Sequence, residues 1–234
     1  MLEDKEDILL HYSVGVFNSI FGTSVGNSAG IKSSPLVTGR LMVTFGDPEN
    51  EEYSIVHRFN GLSRRTGFSV AVSGSYEVEN DLFESSDAFS VDFLLNWKNL
   101  NLSGEVGLRY RDGERVMDSQ INRMFTTSAQ VYAASVSYNL HLTKGHMLEP
   151  SISYMHFSGA DTKVGIEDAL AVNASAGMNS YVDVGVSYHI KPGKLKIDLH
   201  YISQSGDRVE SNPGDSINDF FFQSGLAIRR GDYI

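Results

Sequence analysis

Ten segments of this 234-residue chain alternate apolar and polar residues for about nine to twelve positions each. Successive side chains on a strand point to opposite faces, so a period of two builds strands with one apolar and one polar face. Segment 68–76 shows the pattern. Phe68, Val70, Val72, Gly74 and Tyr76 share one face, and Ser69, Ala71, Ser73 and Ser75 share the other.

The alternation predicts strands over 9–19, 36–46, 68–78, 88–98, 100–111, 129–140, 148–157, 181–190, 195–203 and 218–230. Apolar faces include Leu10, Tyr12, Val14 and Val16 in the first strand and Val37, Leu41, Val43 and Phe45 in the second. In the fourth they are Phe89, Val91, Phe93, Leu95 and Trp97. Gly46, Asp47 and Pro48 end the second strand, because proline cannot donate to a ladder. Asn99 alone is expected to turn the chain between strands four and five, and 191–194 supplies a tight turn. Segment 165–180, dominated by Ala, Gly and Asn with weak periodicity, is expected to be loop.

Strands of about eleven residues, rising about 3.3 Å per residue and tilted about 40°, give a height of about 28 Å, which matches a bilayer's hydrocarbon core. Strands of a soluble β-sandwich average about five or six residues. An apolar fraction of 41% and a mean hydropathy of -0.18 look like a soluble protein. A barrel with a polar lumen, however, hides its lipid-facing half in every second residue. No run approaches the roughly 18 apolar residues of a membrane helix, so a chain like this would span a membrane as strands. Tyr12, Phe45, Tyr76, Trp97 and Tyr110 fall near strand ends on the apolar face, where a barrel places its aromatic girdles.

A net charge of -10 argues against nucleic acid as a partner. Zero cysteines exclude disulfides and thiolate metal sites. Met1 is followed at once by acidic residues, so no signal peptide is expected, and the chain reads as either mature or a fragment.

The stretches that carry a family resemblance are YSVGVFN at 12–18, GRL at 39–41, FGDP at 45–48 and the whole of 68–76. They continue with FLLNWKNLNLSGE at 93–105, EPSISY at 149–154 and the hairpin 184–201. In order and spacing they resemble the phosphate-selective porin O/P family of Gram-negative outer membranes. The resemblance implies an all-β, antiparallel transmembrane barrel of sixteen strands, usually trimeric, with short periplasmic turns and long outer loops. The ten strands present would be its C-terminal portion, and 1–234 would be a single outer-membrane barrel domain lacking N-terminal strands. On that phasing 79–87, 112–128, 158–180 and 204–217 are outer linkers, while Asn99, 141–147 and 191–194 are inner turns. Linker 47–67 is long where an inner turn should be short. The surroundings so implied are outer-membrane lipid and lipopolysaccharide, small hydrophilic solutes, and further copies in a homotrimer.

Phosphate selectivity needs rows of Arg and Lys facing the lumen. The inward candidates are mixed: Arg40, Arg109, Arg111, Lys196 and Arg229 against Glu77, Asp92, Glu105 and Asp198. The family's name is therefore not carried over as a substrate. These charges read either as a wetted wall or, for Arg40, Arg109 and Arg111, as a weak anion-attracting patch near a constriction.

His11 and Ser13 share a face but lack an identifiable orienting group, and His141 and His146 flank a turn without a partner at metal-ligand spacing. The acidic group Asp207, Glu210, Asp215 and Asp219 lacks calcium-loop spacing. No enzyme activity, cofactor or metal is expected. The reading favoured is a passive channel for small hydrophilic solutes or ions. The alternatives are a non-conducting barrel acting as anchor or adhesin through its loops, and a soluble barrel binding an apolar ligand inside.

Overall fold

A computed structural model describes residues 8–18, 34–47, 65–80, 82–117, 121–191, 195–208 and 215–228. They form strands β1 (Ile8–Asn18), β2 (Pro35–Gly46), β3 (Gly67–Val78), β4 (Ser85–Trp97), β5 (Leu100–Met117) and β6 (Ile121–Tyr138). After these come β7 (Leu140–His141), a 3-10 turn at Thr143–Gly145, β8 (Met147–Ser158), helix α1 (Lys163–Ala171), β9 (Met178–Lys191), β10 (Leu195–Arg208) and β11 (Asp215–Ile228). All strands join one antiparallel sheet in the order β1-β2-β3-β4-β5-β6-β8-β9-β10-β11, with two-residue β7 paired beside β8. Among the described residues β1 pairs only with β2 and β11 only with β10, so the sheet is not closed on itself.

Each alternating segment of the sequence lies on a strand, and neighbouring apolar faces are in register. The row Ile8, Phe45, Phe68, Leu95, Leu102, Val136, Ile152, Val184, Tyr201 runs across the sheet by direct pairing. The apolar band does not follow these rows. On β2 its centre is Leu41, whose row reaches β10 at Ser205, whereas the centre of the β10 apolar face is Leu199, six residues away. Six residues of rise (about 20 Å) accumulated over seven strand spacings (about 34 Å) tilt the strands against the band by roughly 30°. That is close to the tilt barrel closure imposes.

Four elements differ from the sequence reading, the first being the linker expected over 204–217, where β10 runs on to Arg208 and β11 starts at Asp215. The linker expected over 112–128 is mostly strand: β5 and β6 are 18 residues each and stay paired out to Met117 and Ile121. Its charges, which read as a loop, instead form cross-strand and helix contacts. Segment 165–180 is not all loop, because α1 occupies Lys163–Ala171 and β9 begins at Met178. A nine-residue helix is too short to be stable by propensity. The Thr162 hydroxyl caps it by accepting from the Gly165 N–H, and burial of Ile166, Asp168 and Ala169 holds it. The turn after β4 contains Lys98 as well as Asn99, with Lys98 in the left-handed region at φ 54°.

Candidate functional site

Burial is inverted relative to a water-soluble fold. Among the described residues seven apolar side chains are buried against fourteen polar or charged ones, while Tyr12 and Val14 are each 76% exposed. In β3 the polar face (Ser69, Glu77) is buried and the apolar face (Phe68, Val72, Tyr76) is exposed.

A cavity of about 710 Å³ lies on the polar face, lined by residues from Ser13 on β1 to Phe157 on β8. Seven neighbouring strands, which a flat sheet would spread over about 29 Å, all line this one cavity and so face a common space. The sheet therefore curls about its polar face.

Five of the charged positions singled out from sequence meet in or beside this cavity. Arg40, Glu105, Arg109 and Arg111 line it. Asp92 takes Arg40 in a two-pronged ion pair, with Nη2 donating to Oδ1 at 2.8 Å, and Arg40 also donates to the Ser73 hydroxyl. Arg111 is not a free lumen charge. Its Nη1 donates to the carbonyls of Val172 (2.6 Å) and Asn173 (2.5 Å), its Nε donates to Ser86, and its guanidinium lies 4.6 Å from the Phe83 ring centre.

Glu77 is buried and accepts from Asn80, whose own carbonyl oxygen accepts from the N–H groups of Leu82 and Phe83. Lys196 and Asp198 pair with each other at 3.1 Å on β10, apart from the cavity lining, and Asp198 accepts from Ser187. Arg229 and linkers 19–33 and 48–64 lie outside the described residues, as do the side chains of the acidic group at 207–219.

Two features of the polar face were not read from sequence. The first is a continuous belt of hydrogen bonds near the short-turn end, crossing seven strands. Thr44 and Ser69 share a hydroxyl bond (2.9 Å), and Arg65 donates to Ser69 (2.7 Å) and to the Asn96 carbonyl oxygen (2.6 Å). Asn96 donates to Asn101, Asn101 to Ser137, and Ser137 to Glu149, whose second oxygen meets His189 at 3.0 Å. Buried polar groups must be paired, and here each finds its partner on the next strand. The signal was one Asn, Ser, Glu or His at matching distance from each short turn, which is visible only once register is known.

The second is a strap. The β8–β9 connection leaves and returns at one neck, where Gly159 N donates to Gly177 O and Gly177 N to Ala160 O, both at 2.8 Å. Between them α1 and the residues after it fold onto the polar face. Val172 packs there with Phe83 and Phe125, and Ala174 and Ser175 line the cavity. Gly113 makes the room: a Cβ there would collide with Val172 Cγ1. Above the band Arg115 donates to Glu167 at 2.9 Å, which raises the Arg115 pKa above its ordinary value.

Beyond the band the apolar face also turns polar, with Ser85 and Thr126 both donating to Asp112. Comparison with family models, curated proteins and solved structures returns no match to this chain.

Proposed function

We propose that the chain forms the wall of an outer-membrane porin-like channel through which small hydrophilic solutes or ions diffuse passively. The observation that carries this reading is the inverted polarity of a curled sheet. Ten strands about 4.8 Å apart, bearing an apolar band about 25 Å tall, present on the order of 1,200 Å² of apolar surface. Soluble monomers rarely expose more than about 300–600 Å² in one patch. Hydrocarbon is the solvent that suits such a face, and water suits the belt and cavity behind it.

Selection would be by size and field, without catalysis. The Arg40–Asp92 pair cancels, and Arg111 is engaged by backbone carbonyls, so Arg109 and Glu105 are the opposed charges left to a passing solute. This favours weak selectivity over a phosphate site. The resemblance to the porin O/P family supports the same class, with lipopolysaccharide around the barrel and a homotrimer as its assembly.

Planar-bilayer recording of the refolded chain tests the proposal. Ohmic conductance steps are expected, and a folded sheet in lipid without steps would overturn it. The strap across the cavity favours one second reading, a plugged barrel that anchors or binds through its outer loops. The same recording separates the two.

A further inference from the structure

The β5–β6 hairpin carries a local conflict beyond the apolar band. Arg115 and Arg123 are direct register partners, and like charges directly opposite across a ladder repel. Both turn to α1. Arg123 Nη2 donates to Asp168 Oδ2 at 2.5 Å, and Arg115 reaches Glu167 at 2.9 Å and lies 3.6 Å from Asp168 Oδ1. The Asp168 side chain is 7% exposed, while Glu167 is 42% exposed, so the buried neutralising charge is Asp168. Its Oδ1 has no hydrogen-bond partner, so the latch closes with one bond unmade.

A second set of contacts holds the strap at its far side, where Arg111 binds the Val172 and Asn173 carbonyls and Val172 fills the space above Gly113. The strap's two ends are joined at the neck by the Gly159 and Gly177 hydrogen bonds.

We propose that the β8–β9 strap is a hinged gate over the polar cavity, latched by Asp168 on the Arg115/Arg123 pair. Loss of the latch leaves the strap held by its far-side contacts alone, so it opens more readily and widens the passage. The mechanics rest on these contacts alone, and only the effect on conduction rests on the channel reading.

The full chain in lipid vesicles tests both parts. Lys163, on the first turn of α1 within the strap, is a trypsin site whose cleavage needs the helix there to open, which release of the strap should favour. Asp168→Asn keeps side-chain volume and removes the charge. Cleavage at Lys163 should quicken about tenfold, as expected for losing a charge-assisted hydrogen bond in a two-state equilibrium. Glu167→Gln should have a smaller effect. In a chain with no other cysteine, Gly113→Cys with Val172→Cys should form a disulfide that suppresses cleavage until reduced.

Channel current should follow the same order, with Asp168→Asn raising mean conductance and the disulfide lowering it. Unchanged cleavage in Asp168→Asn, or cleavage insensitive to the disulfide, overturns the latch. Altered cleavage with no current in any variant supports the latch and overturns the channel reading instead.

Discussion

Arg40 and Asp92 face each other on the polar side of β2 and β4 with half-exposed side chains. Exposed ion pairs contribute about 0–1 kcal/mol, so Asp92→Asn should move the unfolding midpoint little. It should nevertheless free the Arg40 charge beside Arg109, and the reversal potential in a salt gradient should shift towards anions. A cation shift would place the permeant path elsewhere. Glu149 is different, because one carboxylate joins Ser137 and nearly buried His189 in the belt. Glu149→Ala leaves buried His189 without its carboxylate while Ser137 keeps its bond from Asn101, and should cost about 1–3 kcal/mol, read as a lower urea midpoint in vesicles.

Strands have depth as well as faces. Val106 points to the apolar side in the middle of the band, whereas Thr126 shares that side but sits beyond the band beside Asp112. In lipid, Val106→Lys should destabilise by about 2–4 kcal/mol and Thr126→Lys by about 0–1 kcal/mol. Equal effects would mean that both positions meet water. The strands were legible in the sequence because alternation is a local property, and Phe68 to Tyr76 kept the faces assigned to them.

The far half of the β5–β6 hairpin was not legible. Asp112, Glu114, Arg115 and Arg123 carry loop composition, and what extends the strands is α1, more than 40 residues along the chain from Arg123. Helix α1 was hidden for the same reason, since burial against distant strands holds it. Of the charged candidates, residue type and face alone placed Arg40, Glu105, Arg109 and Arg111 on one cavity. Their pairing depended on register, which is why Arg111 read as a lumen charge and is found holding the strap.

For the molecule as a whole, the decisive quantity is the state of its two edges. Ten strands alternating strictly in direction leave β1 and β11 antiparallel to each other. The apolar face continues to the β1 edge, where Ile8, Leu10, Tyr12, Val14 and Val16 are all exposed. On an edge strand every second backbone N–H points away from its neighbour. Each such group left unpaired in hydrocarbon costs several kcal/mol, so about five of them on β1 would outweigh the net stability of an ordinary domain.

A membrane sheet of this kind must therefore be sealed at β1, by β11 or by further strands. Amide hydrogen exchange reads the difference directly. In bilayers every N–H from Ile8 to Asn18 should exchange as slowly as those in the middle of β5. An alternating fast and slow pattern along β1 would mean an edge open to water, and the apolar face would then need a covering other than lipid.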